Sequence, residues 1–290
     1  MKLLITGAYG QLGNEIKVLS ENYGEWEFIF TDIDLLDITD KNAVTDFLNL
    51  TKPHFLINCA AYTAVDKAET DMETTFTINA TAPGILANAA KQTGTKIIHI
   101  SSDYVFGGKA LRPLVEDDEV NPEGVYAKSK LAGEQNCMKG NADSMIIRTS
   151  WLYSTFGNNF VKTMLRLGHE RSSLNVVNDQ IGSPTYAADL AQAILKIILI
   201  SKEKPEKFIP GIYHYSNEGV ASWYDFAKAI FEISEINCKV FPVTTDAFPT
   251  LAKRPEYSVL DKSKIKSTFG FDIPFWIDSL KICIKKIINN

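Results

Sequence analysis

The chain has 290 residues, of which 45% are hydrophobic and 22% are charged, an ordinary composition for a globular protein of one large domain or a large domain with a small appendage. Its net charge of −5 argues against a nucleic-acid partner, because such partners usually require a basic face. The apolar runs are far shorter than the roughly 20 residues that cross a bilayer. We therefore expect no membrane segment.

The four cysteines are widely spaced and include no C-x-x-C pair. This pattern indicates neither a zinc site nor a disulfide framework, and it favours a reducing compartment. The apolar run before Gly7 is too short for a signal peptide. We therefore expect a cytoplasmic protein.

Strand and helix patterns alternate over residues 1–150. Short apolar runs predict strands, and apolar positions three or four residues apart predict helices. Strands are predicted at 2–6, 26–31, 55–58, 96–101 and 144–148. Helices are predicted with Leu12, Ile16 and Leu19 on one face, at 42–50, at 72–93 with an interruption near Pro83, and at 126–138. Within the helix at 42–50, we expect Ala43, Phe47 and Leu50 to face inward. The alternation predicts an α/β fold with a Rossmann-type, doubly wound parallel sheet.

The pattern is less regular from Trp151 onwards, and seven prolines interrupt it. Strands are predicted at 174–178 and 211–215, and helices at 187–200, at 223–233 and near the end of the chain. We interpret residues 151–290 mainly as a smaller substrate-binding region, with some segments returning to the core formed by residues 1–150.

Three glycines, Gly7, Gly10 and Gly13, follow the first predicted strand and open the first helix. Glycines permit a tight turn there and let phosphate oxygens approach the N–H groups at the helix N-terminus. The GxxGxxG spacing differs from the GxGxxG of many dehydrogenases, and an ordinary strand–helix turn stays an alternative. We predict a dinucleotide pyrophosphate site.

An acidic residue, Asp32, closes the second predicted strand. A carboxylate at this position accepts a hydrogen bond from an adenosine ribose hydroxyl and repels a 2′-phosphate. NADH is therefore favoured over NADPH as the cofactor. Asp34 and Asp37 lie nearby, so Asp32 could instead be a loop residue. The small residues Ala60 and Ala61 after the third strand would let a ribose pack closely.

Tyr126 and Lys130 are four residues apart on a predicted helix, so they share one face. A nearby ammonium is expected to lower the pKa of the phenol, which could then protonate a carbonyl oxygen while hydride reaches the carbon. Ser102 lies just past the fourth predicted strand, at the sheet edge where ligands bind in such folds, and its hydroxyl could bind the same oxygen. The alternative is a chance Tyr/Lys pair on the protein surface.

Several longer segments resemble the dTDP-4-dehydrorhamnose reductase family of the extended short-chain dehydrogenases/reductases. The resemblance runs from residue 1 to about residue 260 and is carried by segments 58–69, 101–106, 130–134, 148–153, 158–160 and 178–185. It implies reduction of the 4-keto group of dTDP-4-dehydro-L-rhamnose to dTDP-L-rhamnose with NAD(P)H. This product is a precursor of bacterial surface polysaccharides.

The resemblance also carries over site residues. Ser102, Tyr126 and Lys130 match the catalytic positions. The candidate cofactor contacts, from the glycine turn and the resemblance together, are Gly7, Gly10, Gln11, Leu12, Gly13, Asp32, Asp37, Ile38, Ala60, Ala61, Tyr62 and Thr63. The candidate substrate contacts are Val65, Ser102, Asp103, Tyr104, Trp151 and Arg254, the last as a diphosphate ligand because Arg suits bidentate phosphate binding.

Two departures from the family pattern stand out. Ser102 occupies a position where the family often has Thr, which preserves the hydroxyl. Some members bridge a dimer through Mg²⁺ held by glutamates; Glu15 matches one such position, but Ala188 stands where the other glutamate is expected. We therefore expect no metal-bridged dimer, and a homodimer formed by other contacts stays open.

Other functions fit parts of the pattern. The chain could reduce or epimerise another nucleotide-sugar, or it could be a non-catalytic NAD(P)-binding subunit similar to the beta subunit of methionine adenosyltransferase. The complete set of Ser102, Tyr126 and Lys130 argues against a binding role alone. Of the aromatic residues, Trp223 is interpreted as packing, and for Trp151 a core role and a sugar platform are equally supported.

Overall fold

The computed structural model describes residues 1–108 and 110–289. Six parallel strands form the central sheet, in the order β10-β5-β4-β3-β1-β2. These strands are β1 (Lys2–Thr6), β2 (Glu27–Thr31), β3 (Phe55–Asn58), β4 (Lys96–Ser102), β5 (Met145–Thr149) and β10 (Gly211–His214). The apolar runs of β1, β3 and β5 are buried on both faces, as parallel strands between two helical layers require.

Helices cover both faces of this sheet. The helices in chain order are α1 (Gln11–Ser20), α2 (Lys41–Thr51), α3 (Val65–Ala68), α4 (Met72–Phe76), α5 (Ala82–Thr93), α6 (Gly124–Gly140), α7 (Phe160–Glu170), α8 (Ala187–Glu203), α9 (Trp223–Ile233), α10 (Ser263–Phe269) and α11 (Trp276–Ile288). Leu3 and Ile5 of β1 pack with the side chains of α1 and α8 on one face, whereas Leu4 packs with α2, α5 and α6 on the other. The predicted α/β class with a doubly wound parallel sheet is confirmed.

The prediction that Leu50 faces inward is wrong. Its side chain is 83% exposed, whereas Val44 and Leu48 on the same helix are fully buried. Because successive helical residues are about 100° apart, Leu50 lies about 120° around α2 from Val44. The buried apolar face of α2 therefore does not include Leu50.

The interruption in the long predicted helix at 72–93 falls earlier than Pro83. A π-helical turn, Thr77–Thr81, joins α4 to α5, and Pro83 sits in the first turn of α5, where its missing N–H does no harm. Within this turn, the Asn79 side chain bonds both the N–H and the carbonyl of Tyr62. The turn thereby fixes the loop that follows β3.

The second half of the chain contributes to two places. Its strand β10 pairs with β5 and its helix α8 packs on α1, both within the main core. Ile265 and Phe269 of α10 also belong to the main core, and much of the rest forms a second core around Phe226, Trp276 and Leu280. Three two-stranded pairs accompany it, formed by β6 (Leu152–Tyr153) with β9 (Thr185–Tyr186), β7 (Ser173–Val177) with β12 (Lys239–Val243), and β8 (Ile181–Gly182) with β11 (Ala221–Ser222). Among the described residues, no helix is both long and apolar enough to cross a membrane.

Candidate active site

A cleft of about 850 Å³ lies at the carboxyl ends of the central strands. This is the edge where open α/β sheets bind ligands. Most of the predicted site residues line it together, namely Gly7, Gly10, Gln11, Leu12, Asp32, Asp37, Ile38, Ala60, Ala61, Thr63, Val65, Ser102, Asp103, Tyr104, Tyr126, Lys130 and Trp151. The fold therefore gathers at one edge residues that lie up to 144 positions apart in the chain (7 to 151).

Gly13, Tyr62 and Arg254 lie outside this lining. A Cβ on Gly13 would fall 2.5 Å from the carbonyl oxygen of Gly7, so this glycine lets α1 pack closely on the turn. The Tyr62 hydroxyl donates to Asp71 at 3.0 Å. Gly13 and Tyr62 therefore each have a structural role outside the cleft.

The turn between β1 and α1 is shaped for a ligand that approaches the backbone. Gly7 has φ +69°, and a Cβ there would lie 2.5 Å from the backbone nitrogen of Ala60. At the start of α1, Gly10 supplies no side-chain cap. The first N–H groups of a helix have no intrahelical acceptors, so this turn fits the phosphates of a dinucleotide.

Asp32 is joined to the glycine turn by hydrogen bonds. Its Oδ2 accepts from the N–H of Tyr9 at 3.0 Å, and its Oδ1 accepts from the N–H of Ile33 at 2.9 Å. By contrast, Asp34 accepts from the Tyr9 hydroxyl, and Asp37 accepts from the N–H and hydroxyl of Thr39. Of the three acids, Asp32 is therefore the one fixed directly against the turn.

The environment of the Tyr126 phenol favours its protonated form. Burial raises its pKa to about 12, and the negative charge of Asp103 acts in the same direction, while a hydrogen bond from Ser102 opposes them. The expectation that a nearby ammonium lowers this pKa is wrong here. Removal of the phenolate from water outweighs other influences, because burial disfavours any charged form.

Lys130 is itself almost fully buried. Its ammonium donates to the carbonyl of Ile100 at 2.8 Å, and burial lowers its pKa to about 8, with Glu134 opposing the shift. The Lys130 ammonium therefore lies at the floor of the cleft. Lys130 is one helical turn from Tyr126 on α6.

A buried ion pair below the cleft was not predicted. Arg148 of β5 donates from Nε and Nη2 to the two carboxylate oxygens of Glu134, at 2.9 and 2.8 Å, and Ser101 also donates to Glu134. Both charged side chains are at most 2% exposed. Two sequence features indicate this pair: Glu134 lies four residues after Lys130, and Arg148 is a charged residue in an apolar strand.

Two tryptophans form one wall of the cleft, and the interpretation of Trp223 as packing missed this. Trp151 and Trp223 both line the cavity, and their rings stack with centroids 3.6 Å apart. Trp223 also packs on Phe160. It therefore combines a packing role with a surface exposed to the ligand site.

Arg254 forms a bidentate ion pair with Asp66 of α3, with contacts of 2.8 and 2.6 Å. The same carboxylate accepts from the N–H of Ala252 at 3.0 Å. Arg254 lines a small recess that shares Tyr104 with the main cleft. Asp66, for which the sequence indicated no role, therefore holds the guanidinium at the rim of the site.

The residues around Glu15 do not form a recognisable metal centre. Glu15 is buried, accepts a hydrogen bond from Ser154 at 2.7 Å, and has a pKa raised by burial. Within the ranges that the structure describes, no group of three or more His, Cys, Asp or Glu side chains could hold a metal ion. That no metal bridges a dimer stays a prediction.

The six-stranded parallel sheet with helices on both faces, and the cleft at its carboxyl edge, define a Rossmann-type α/β protein. The model of the RmlD substrate binding domain family matches residues 1–289. A curated dTDP-4-dehydrorhamnose reductase from Aggregatibacter actinomycetemcomitans is 43% identical, covering 97% of each chain. The chain belongs to the dTDP-4-dehydrorhamnose reductase family.

Solved structures agree with this assignment. A dTDP-4-dehydrorhamnose reductase from Clostridium acetobutylicum superposes with a TM-score of 0.93 at 46% identity, covering 99% of this chain and 100% of the other. A second, from Bacillus anthracis in complex with NADP, has a TM-score of 0.92 at 40% identity and covers 98% and 99% of the two chains.

Proposed function

We propose that this protein reduces the 4-keto group of dTDP-4-dehydro-L-rhamnose to the hydroxyl of dTDP-L-rhamnose, with NADH or NADPH as reductant. The observation that carries the proposal is the convergence of Ser102, Tyr126 and Lys130 with the glycine turn on one cleft. Membership of the reductase family supports the substrate.

The chemistry follows from the state of the phenol. A bound reduced nicotinamide supplies hydride to the carbonyl carbon. Because the pKa of Tyr126 is raised to about 12, the phenol carries its proton at neutral pH and donates it to the carbonyl oxygen. The carbon–oxygen double bond becomes a hydroxyl group, and Tyr126 is left as a phenolate that must be reprotonated before the next turnover.

The other residues of the site prepare this transfer. Ser102 would hold the substrate oxygen beside Tyr126. The positive charge of Lys130 would hold the nicotinamide ribose and stabilise the phenolate once it forms, since an opposite charge favours the ionised form. The phenolate is costly without such support, because it forms in a buried site.

We assign the cofactor preference to Asp32. Its carboxylate lies against the glycine turn through Tyr9 and Ile33, where an adenosine ribose hydroxyl would donate a hydrogen bond to it. A 2′-phosphate at the same place would meet a fixed negative charge. NADH is therefore the preferred reductant, with NADPH used less efficiently.

We assign the two regions of the chain different tasks. Residues 1–150 bind the cofactor, and residues 151–290 mainly bind the nucleotide-sugar, with Trp151 against the sugar and Arg254 at the diphosphate. Support for the latter is the position of Arg254 at the rim, where Asp66 holds its guanidinium.

All four cysteines are free, in keeping with a cytoplasmic enzyme, and any homodimer would form without a metal.

The test is NADH oxidation followed by nicotinamide absorbance, with dTDP-4-dehydro-L-rhamnose as substrate. We expect oxidation that requires both protein and sugar and gives dTDP-L-rhamnose. Tyr126→Phe should lower kcat by about 10²–10⁴-fold, the usual contribution of a general acid, and leave NADH affinity unchanged. Tyr23→Phe, in a cluster remote from the cleft, is the matched control and should keep full activity.

Each alternative function predicts a different negative result in this test. Binding of NADH without oxidation of any nucleotide-sugar would point to a regulatory subunit. NAD⁺ retained through purification, with interconversion of sugar epimers and no net oxidation, would point to an epimerase. Substantial turnover by Tyr126→Phe would remove the phenol from the acid role.

A further inference from the structure

Two charged residues of helix α6 are joined to consecutive residues of strand β4. The Lys130 ammonium donates to the carbonyl oxygen of Ile100 at 2.8 Å. One helical turn later, the Glu134 carboxylate accepts a hydrogen bond from the Ser101 hydroxyl. Residues four apart on a helix share one face, and both of these side chains are buried. They therefore hold this face of α6 against the end of β4 that leads into Ser102.

The Glu134 carboxylate is itself fixed in place. Its two oxygens accept from Arg148 of β5 at 2.9 and 2.8 Å, and the two side chains are 1% and 2% exposed. Arg148 in turn donates to the carbonyl of Glu116 at 3.4 Å, and its guanidinium carbon lies 4.9 Å from the centroid of the Phe106 ring. The carboxylate is therefore held one helical turn from Lys130 by a guanidinium that has further contacts of its own.

Lys130 bears its charge where water is excluded, so it needs a negative neighbour. It is 2% exposed, and burial disfavours the charged form of any group. The Tyr126 phenol on the same helix is neutral before reduction, because its pKa is raised to about 12, and it supplies no counter-charge at that stage. Side chains four apart on a helix are close neighbours, and in a water-excluded site an opposite charge at that range strongly favours the ammonium.

We infer that Glu134 is a positioning residue for Lys130: its fixed carboxylate keeps the Lys130 side chain charged and in place at the floor of the cleft. This inference rests on the proposed function, because Lys130 is the residue that would hold the nicotinamide ribose and stabilise the Tyr126 phenolate. Glu134 lies outside the lining of the cleft. It therefore acts on the reaction through Lys130 and not by contact with a substrate.

The other titratable groups around Lys130 do not replace this carboxylate. Cys137 on α6 also favours the ammonium, but burial raises the pKa of its thiol to about 11, so the thiol is uncharged at neutral pH. On β4, burial holds the pKa of His99 well below its ordinary value, and the charge of Lys130 acts in the same direction. Arg148 of β5 is paired with Glu134. Among the described residues, Glu134 therefore supplies the negative charge that acts on the ammonium.

The test is the pH dependence of kcat for NADH oxidation with dTDP-4-dehydro-L-rhamnose, in the wild type and in Glu134→Gln. The wild-type rate should fall as pH rises through about 8, where Lys130 loses its proton. An opposite charge changes the pKa of a close neighbour by about 1–3, so its removal should move this fall down by at least about one pH unit. The kcat of Glu134→Gln should be close to the wild-type value near about pH 6.5 and about tenfold lower near about pH 9.

Two further variants separate charge from packing. Glu134→Asp keeps the carboxylate but shortens the side chain, so it disturbs the buried pair and should leave the fall near the wild-type pH. Glu134→Met combined with Arg148→Leu replaces the pair by apolar side chains, a change that buried ion pairs often tolerate. This double variant serves if Glu134→Gln does not fold, and its fall should also lie at lower pH. Glu170→Gln, in the exposed pair with Arg166, is the surface control and should match the wild type.

Two results would overturn the inference. One is a kcat lowered by the same factor at every pH in Glu134→Gln, and the other is an equal displacement of the fall in Glu134→Gln and Glu134→Asp. Either would make Glu134 a purely structural residue.

A wild-type protein that oxidises no NADH at any pH would instead refute the proposed function. NADH affinity, followed by nicotinamide fluorescence, then still tests Glu134, because Lys130 would hold the nicotinamide ribose without a bound sugar. As pH rises, this affinity should weaken at a lower pH in Glu134→Gln than in the wild type, and identical curves would contradict the inference.

Discussion

The indole rings of Trp151 and Trp223 lie parallel within 8°, with their centroids 3.6 Å apart, in the wall of the cleft. Trp151 holds this position with φ +46°, a backbone conformation that a bulky residue rarely adopts. Gly182 lies against an edge of the Trp151 ring, because a Cβ added to Gly182 would lie 2.6 Å from Cε2 of Trp151. The ring is thus fixed between a second indole and a glycine that leaves room for it.

This arrangement predicts that Trp223 controls sugar binding through Trp151. Trp223→Leu removes a stacked aromatic pair, worth about 0.5–1.5 kcal/mol. The KM for the nucleotide-sugar should rise about twofold to tenfold, while the KM for NADH stays unchanged. The exciton signal of stacked indoles in circular dichroism should disappear as well. Trp26→Phe, in a cluster away from the cleft, serves as the control, and an unchanged sugar KM in Trp223→Leu would contradict this role.

The position of Asp32 predicts a change in cofactor preference. Asp32→Ser removes the negative charge beside the ribose site, so the ratio of kcat/KM for NADPH to that for NADH should rise by about tenfold or more, equivalent to about 1.4 kcal/mol. Steady-state kinetics with both cofactors measures it. Asp34→Ser removes an equal negative charge, but one bonded to the Tyr9 hydroxyl rather than to the backbone of the turn, and it should leave the ratio nearly constant. Equal effects of the two variants would place the ribose elsewhere.

The buried pair of Glu134 and Arg148 predicts a large loss of stability when one partner is removed. Glu134→Ala leaves the Arg148 guanidinium buried without its carboxylate, at a cost of about 3–5 kcal/mol. Denaturant unfolding measures this difference. The exposed pair of Arg166 and Glu170 gives the comparison, since Glu170→Ala should cost at most about 1 kcal/mol. Similar costs for the two variants would mean that the buried pair contributes little.

Acid should destabilise the protein partly through His214. Burial lowers the pKa of this histidine to about 3, below the value of about 6.5 in an unfolded chain. The unfolded state therefore binds the proton more readily, and stability falls as pH drops from about 6.5 towards 3, by up to about 1.4 kcal/mol per pH unit. In His214→Asn, thermal unfolding should depend less steeply on pH over this range. His169, which is exposed, provides the control substitution, and an unchanged slope in His214→Asn would refute the assignment.

The central sheet was predictable from sequence because its strands are short apolar runs bounded by turns. The predicted strand at 55–58, for instance, matches β3 residue for residue. The end of α2 was not predictable in the same way. Leu50 is apolar, but which way it faces depends on how the helix crosses the sheet rather than on local composition.

The site was predictable where spacing alone determines proximity. Tyr126 and Lys130 share a helical face, and that follows from their separation in the chain. The pKa of Tyr126 depends instead on how much water the completed cleft excludes, and burial reverses the shift expected from the neighbouring charge. The pairing of Arg254 with Asp66 joins residues 188 positions apart, and no local pattern in the sequence indicates it.

Strand β10 has a consequence for how the chain reaches this structure. It is the outermost strand beside β5, and it comes more than sixty residues later, from the half of the chain that also builds the second core. Until residue 214 has been synthesised, β5 presents an unpaired, apolar edge of the kind that recruits strands from other molecules. We therefore expect a polypeptide that stops near residue 150 to aggregate more readily than the whole chain.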